Sequence, residues 1–98
     1  MPSTILKQEV PGIASPFTLI PREGEMVVQA LHLGRDGTGQ MCVWFSVRDD
    51  KPGNHIPRGL EVFVVGTGMV MSGPMDHIST CIDRQYVWHL MRVARRDV

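Results

Sequence analysis

Histidine and cysteine are the residue types in this chain that most readily bind metal ions or act as nucleophiles. The sequence contains four histidines and two cysteines. His77 and Cys81 are four residues apart, and on a strand this spacing places both side chains on one face but too far apart to chelate one ion together. No other pair has the short ligand spacing of a zinc site. The sequence therefore predicts no metal centre.

Hydrolytic chemistry would need a nucleophile with its base, or paired carboxylates that hold a metal. The chain has no nucleophile-elbow motif, and its acidic residues lie mostly in predicted turns without paired metal-ligand spacing. We therefore predict a non-enzymatic protein without a cofactor. A nucleotide hydrolase is the less favoured alternative.

A glycine motif interrupts the apolar segment LEVFVVGTGMVM at residues 60–71. Gly66, Thr67 and Gly68 share glycine content with phosphate-binding loops, but no helix follows them and the full G-x-G-x-x-G spacing is absent. We interpret the motif as a turn or a kinked strand whose glycines satisfy the backbone geometry. The functional alternative is a loop that presents backbone N–H groups and the Thr67 hydroxyl to an anion.

Arginine and the aromatic residues predict what kind of ligand the chain would bind. Eight of the ten basic residues are arginines, whose planar guanidinium suits phosphate, carboxylate and aromatic faces. Aromatic side chains on strands can stack a nucleobase. The residues that we expect to contact such a ligand are Trp44, Arg48, Arg58, Thr67, Gly68 and His89. For His89, which shares a strand face with Val87 and Met91, the alternative is a hydrogen-bonded core histidine.

The elements that must position these residues are β-strands. Period-two alternation recurs along the chain and helical spacing hardly occurs, which predicts a mainly β fold: an antiparallel sheet, sandwich or partly open barrel of about six or seven short strands. Residues 25–33 and 40–48 predict a hairpin around the glycine-rich turn at 34–39. In the first of these strands, alternation places Val27, Gln29, Leu31 and Leu33 on one face. In the second, it places Met41, Val43, Phe45 and Val47 in the core.

The other segments complete a single domain over residues 1–98. Residues 60–71 predict a further strand or strand pair, residues 77–82 and 85–93 predict two more strands, and residues 49–59 are the longest predicted loop. Residues 5–10 and 17–20 predict short strands that the neighbouring prolines confine to sheet edges. The structure of the N-terminal arm, residues 1–15, is the least defined by the sequence, and residues 94–98 form a polar tail.

Composition limits location and partners. The net charge is zero, which argues against binding duplex nucleic acid or an anionic membrane through global charge. No apolar run approaches the length of a membrane span, and the N-terminus lacks the pattern of a signal peptide, so we expect a cytoplasmic protein. Cys42 and Cys81 are expected to be free thiols, unless their strands are neighbours that could form a disulfide.

Five segments, taken in order, carry a family resemblance. They are the turn PREGE at residues 21–25, the strands MVVQALHL and QMCVWFSV, the motif FVVGTG and the final strand YVWHLMRV. Over residues 21–93 the chain resembles a family of small β domains encoded by phages and prophages, which implies a compact β domain without an assigned activity. The family commonly continues its glycine motif with histidine, whereas this chain has Met69.

The resemblance implies a function by binding. We hypothesise a homo-oligomeric counter-defence protein in the cytoplasm of the host cell, which sequesters a nucleotide-type immune signal. The alternative is an inhibitor that binds a host defence protein, as anti-CRISPR proteins do, or a phage accessory subunit. Such a protein would use an exposed strand edge or the loop at residues 49–59.

Overall fold

The computed structural model describes residues 3–50, 59–69 and 73–93. Within these residues the chain forms seven β-strands and no helix, which confirms the mainly β fold class. The strands are β1 (Thr4–Glu9), β2 (Phe17–Leu19), β3 (Glu25–Arg35), β4 (Met41–Asp49), β5 (Leu60–Gly66), β6 (Met75–Asp83) and β7 (Tyr86–Val93). The centre of the predicted long loop, with Arg58, and the tail at 94–98 lie outside the described residues.

The strands form two antiparallel sheets that pack face to face. Sheet A has the order β1-β4-β3, and sheet B has the order β2-β5-β7-β6. β3 and β4 form the predicted hairpin. β1 and β2 lie at the edges of their sheets, as the prolines near them predicted. The fold is a sandwich whose two sheets do not join into a closed barrel.

The core lies between the sheets and follows the alternation of β4. The four residues of β4 that the sequence assigned to the core are all at most 8% exposed. Sheet B supplies Val62, Val64 and Leu90, each fully buried, from the facing side. Burying one such side chain stabilises the fold by about 1.5–3 kcal/mol relative to leaving it in water. A second apolar cluster, formed by Phe63, Val65 and Met91, lies on the opposite face of sheet B.

β3 departs from the predicted alternation. Its pairing with β4 shifts between Val27 and Gln29 and again between Ala30 and His32, so Val28 and Leu31 are extra residues in two bulges. Each bulge moves the inward position by one residue. The prediction that Val27, Gln29, Leu31 and Leu33 share one face was therefore wrong, and the residues that pack into the core are Val27, Ala30 and Leu33.

The edges of the two sheets adjoin along two seams, β1 with β2 and β3 with β6, that have no ladder of backbone hydrogen bonds. Side chains bridge both seams. At one seam Gln8 Nε2 donates to the Thr18 carbonyl at 2.9 Å, and Gln8 Oε1 accepts from the Ile20 amide at 2.8 Å. At the other seam Ser79 Oγ accepts from the Leu33 amide at 3.3 Å. The β3–β6 seam is thus held by a side chain at a place where a closed barrel would have a ladder.

The two thiols lie on different sheets. Cys42 is buried on β4 and Cys81 is half-buried on β6, and both are free. This agrees with the expectation of free thiols, because the strands that carry them are not neighbours. Across the described residues, the chain contains no helix with the length and apolar character needed to cross a membrane.

Candidate functional site

The structure separates the predicted ligand contacts onto opposite faces of the sandwich. Trp44 and Arg48 alternate with the core residues of β4, so they lie on the outer face of sheet A. His89 alternates with the inward residues of β7 and lies on the outer face of sheet B, where it contacts Thr67. Within one subunit, these two pairs cannot contact the same small ligand.

The glycine motif forms a turn at the end of β5. Gly68 has a φ of +92°, a conformation that glycine adopts without strain, and the Met69 amide donates to the Gly66 carbonyl at 3.2 Å. The Thr67 amide donates to the Val87 carbonyl at 3.2 Å, which fixes the turn against β7. Here the structure agrees with the interpretation of the motif as a turn. The hydroxyl of Thr67 is directed to a histidine of the same subunit.

Four polar side chains on the outer face of sheet B form a continuous hydrogen-bonded series, which we call the histidine–threonine chain. Thr67 Oγ1 lies 2.8 Å from His89 Nε2, and His89 Nδ1 lies 3.1 Å from Thr80 Oγ1. Thr80 Oγ1 in turn lies 2.7 Å from His77 Nε2. The two imidazole rings stand edge to face with centroids 6.0 Å apart. Both rings therefore converge on a single hydroxyl.

A bulge in β6 makes this convergence possible. His77 and Thr80 are three residues apart, a spacing that places side chains on opposite faces of a regular strand. The pairing of β6 with β7 shifts between His77 and Ser79, and the extra residue restores His77 to the face of Thr80. Thr80 lies opposite His89 in the register, so the three side chains meet.

A cavity opens at the seam between β3 and β6, and we call it the seam pocket. Its volume is about 350 Å³, within the range of roughly 300–1,000 Å³ that is usual for small-molecule sites. The residues that line it are Val28, Gln29, Ala30, Leu31, Leu60, Asp76, His77, Ile78 and Arg92. Val28 and Leu31 are the bulged residues of β3, and they remain 48% and 40% exposed. The bulges thus direct two apolar side chains to this opening.

The charged and imidazole groups of the seam pocket come from β6 and β7, and β3 adds the amide of Gln29. Arg92 Nη2 approaches Asp76 Oδ2 at 3.4 Å, and the two side chains are 48% and 53% exposed. An ion pair this long and this exposed contributes little to stability, so the guanidinium can exchange this partner at small cost. His77 belongs both to the pocket wall and to the histidine–threonine chain. The sequence prediction missed Asp76, His77 and Arg92.

Trp44 lies in the middle of the outer face of sheet A. The register places Lys7 on one side of it and His32 on the other, with the His32 ring tilted at 45° and its centroid 5.6 Å away. Lys7 Nζ donates to Asp36 Oδ2 at 2.9 Å, and this contact raises the pKa of Lys7. The ammonium beside Trp44 is therefore already engaged with a carboxylate.

Asp36 organises the turn that follows β3. Its carboxylate accepts from the Thr38 hydroxyl at 2.6 Å and from the amides of Thr38 and Gln40 at 2.9 and 3.1 Å. The hydrogen bond from the Thr38 hydroxyl, with that from Lys7, holds the pKa of Asp36 well below its usual range. These contacts give Asp36 a structural role, which is to stabilise the turn between β3 and β4.

The structure also describes the arrangement of possible metal ligands. Among the described residues, no group of three or more histidine, cysteine, aspartate or glutamate side chains could hold a metal ion. His77 and His89 form a pair of such side chains, and both are hydrogen-bonded to the Thr80 hydroxyl.

The chain belongs to the family described as a domain of unknown function, DUF7352, whose sequence model matches residues 1–98. No curated protein matches the chain significantly. No solved structure matches it significantly either.

Proposed function

We propose that this DUF7352 domain is a non-enzymatic, phage-encoded binding protein whose seam pocket holds a nucleotide-type ligand. In the cytoplasm of an infected host, such a protein would sequester an immune signal and so act in counter-defence. The observation that carries the proposal is a cavity lined by both apolar and polar side chains, among them a half-exposed arginine. The absence of catalytic motifs in the sequence supports binding over turnover.

The chemistry of the pocket suits a ligand with one apolar, planar part and one anionic part. The side chains of Val28, Leu31 and Ile78 offer the apolar surface that would cover a nucleobase. Arg92 offers a guanidinium that can bind a phosphate with two parallel hydrogen bonds. Asp76, once released from Arg92, is an acceptor for the amino or hydroxyl groups of a base or ribose.

Assembly into a homo-oligomer would allow the separated contacts to act together. Trp44 and Arg48 lie on the face of the sandwich opposite to Thr67 and His89, so they would reach a ligand on sheet B only from a second subunit. We therefore infer that a nucleotide in the seam pocket of one subunit is covered by a second subunit, whose Trp44 ring is available for stacking. Light scattering with and without ligand measures this assembly.

The test is calorimetry and thermal shift with a panel of cyclic oligonucleotides and ADP-ribose derivatives. We expect one class to bind, and we expect Arg92→Gln to weaken that binding by about tenfold or more because a charge-assisted hydrogen bond is lost. Arg84→Gln is the matched control, since Arg84 is an exposed arginine at the opposite end of the same hairpin. If no compound of the panel produces heat or a thermal shift, the proposal is wrong.

A protein-binding inhibitor is the second candidate, and exposed apolar side chains near the β6–β7 turn favour it. Ile82 is 76% exposed and Tyr86 is 54% exposed. A partner protein would bury both, as the aromatic and aliphatic anchors of interfaces are buried. A stoichiometric host protein that co-purifies with the wild type and is lost in Ile82→Asp would favour this function. A co-purifying small molecule that is retained in Ile82→Asp would favour the first.

A further inference from the structure

The histidine–threonine chain contains two imidazole nitrogens that converge on one point. His77 Nε2 and His89 Nδ1 lie 2.7 and 3.1 Å from the same atom, Thr80 Oγ1. The hydroxyl of Thr80 has one hydrogen, so it can donate to only one of the two ring nitrogens at a time, and the other ring must then donate an N–H to it. A metal cation in place of the hydroxyl would accept the lone pairs of both rings.

We infer that His77 and His89 form a binding site for a divalent transition-metal ion on the outer face of sheet B. The ion would take the position near the shared hydroxyl, and Thr80 would turn its hydroxyl away by rotation about χ1. Imidazole nitrogen is a preferred ligand of zinc, copper and nickel, with a zinc–nitrogen distance of about 2.0–2.1 Å. Water completes the coordination of a site with two protein ligands.

Thr67 orients one of these ligands. His89 Nε2 lies 2.8 Å from Thr67 Oγ1, so an N–H at this position donates to the hydroxyl. That hydrogen bond leaves the lone pair on Nδ1, the nitrogen that is directed toward Thr80 and His77. Histidines that ligate metals commonly donate their other ring nitrogen in this way, which fixes both tautomer and ring orientation. Thr67 is thus a positioning residue of the site.

The surroundings of the site allow both rings to close on an ion. His77 and Thr80 are exposed and His89 is half-buried, so small rotations of these side chains meet little packing resistance. The rings already stand edge to face with centroids 6.0 Å apart. His77 and His89 are twelve positions apart in the sequence, and it is the β6–β7 hairpin with its bulge that brings them together. A search for short spacing between ligands therefore does not detect this pair.

The test is isothermal titration of the full chain with zinc chloride. We expect one ion per subunit, with affinity reduced at least tenfold in both His77→Asn and His89→Asn. His32→Asn is the matched control, because His32 also contacts another ring but lies on sheet A. The zinc affinity of this variant is expected to equal that of the wild type. Thermal melts and circular dichroism of the variants check that each one is folded.

Two further variants test the geometry. Thr67→Val should weaken zinc binding by about 10- to 100-fold, the usual effect of removing a residue that orients a ligand. Thr80→Val should leave the affinity equal or higher, because it removes the competing hydroxyl. The inference is overturned if zinc does not bind, if both histidine variants bind as the wild type does, or if binding is lost in Cys81→Ser instead. An unchanged affinity in Thr67→Val would remove Thr67 from the site.

Discussion

Gly59 precedes β5 at a point where the chain passes very close to β2. A methyl group added there would lie 2.4 Å from Thr18 Cγ2 and 2.7 Å from the carbonyl oxygen of Leu19. Non-bonded heavy atoms normally lie about 3.5–4.0 Å apart, so Gly59→Ala requires β2 to move away by about 1 Å. The carbonyl is part of the backbone and cannot turn aside as a flexible side chain would.

The expected cost follows from what β2 holds in place. Leu19 is fully buried in the core and pairs with Leu60, so moving β2 loosens a packed layer. Overpacking of this kind typically costs about 1–3 kcal/mol. For a domain of this size, a loss of 1 kcal/mol lowers Tm by about 4–8 °C. Urea denaturation followed by tryptophan fluorescence measures the change in the free energy of unfolding.

Gly37→Ala is the matched control for this substitution. No atom lies within 4 Å of a methyl group added at Gly37, and Gly37 does not have a positive φ. The free energy of unfolding of Gly37→Ala should therefore stay within about 0.5 kcal/mol of the wild type. The double variant with Thr18→Ser should recover part of the loss, since it removes the closer contact but leaves the carbonyl. Equal denaturation midpoints for Gly59→Ala and Gly37→Ala would refute the close approach of β2 and β5.

Two further predictions concern the thiols and acid stability. Burial, with a hydrogen bond to Asp36, raises the pKa of the Cys42 thiol. We therefore expect a thiol reagent to modify Cys81 first and Cys42 only when the protein is unfolded, which mass spectrometry of the labelled peptides measures. Equal labelling rates would contradict the buried position of Cys42. Because the folded-state pKa of Asp36 is lowered, its stabilising effect is present above the unfolded pKa and is lost as pH falls through the folded one. Asp36→Asn should therefore lower the free energy of unfolding at neutral pH and reduce the further decrease that the wild type shows below about pH 4. Urea denaturation at a series of pH values measures both effects. If the free energies of unfolding of variant and wild type change with pH in parallel, the prediction is wrong.

The sequence allowed β4 to be predicted well because β4 is regular. It is the central strand of sheet A, with a neighbour on each side, and its pairing with β1 has no shift, so strict alternation holds from Met41 to Val47. The same reasoning correctly placed His89 on the face opposite to Leu90. In a strand without bulges, successive side chains point to opposite faces of the sheet, so alternation in the sequence is sufficient to assign each residue to a face.

β3 shows where such reasoning fails. Its core residues, Val27, Ala30 and Leu33, recur every three positions because each of two bulges adds one residue to the strand. A bulge is specified by local backbone conformation and by the partner strand, and Val28 and Leu31 are β-strand residues of ordinary type. Neither bulge contains a glycine or a proline that would mark its position in the sequence.

The candidate site could be predicted only in part for the same reason. Thr67 and His89 were selected for their chemistry, and they do contact each other. The residues that extend this contact, Thr80 and His77, depend on a third bulge and on the register of β6 with β7. Neither the bulge nor the register can be read from spacing along one strand.

The three bulges also explain why the sandwich has a pocket. All of them lie on β3 and β6, the strands that face each other across the seam, and Val28, Leu31 and Ile78, which they add, all line the cavity. A bulge interrupts the regular series of backbone donors and acceptors that a neighbouring strand would need in order to pair. A continuous ladder between β3 and β6 is thereby prevented, and the seam relies on contacts such as that of Ser79 with the Leu33 amide. The bulges that interrupt the alternation pattern are thus the features that separate β3 from β6 and supply apolar residues to the cavity between them.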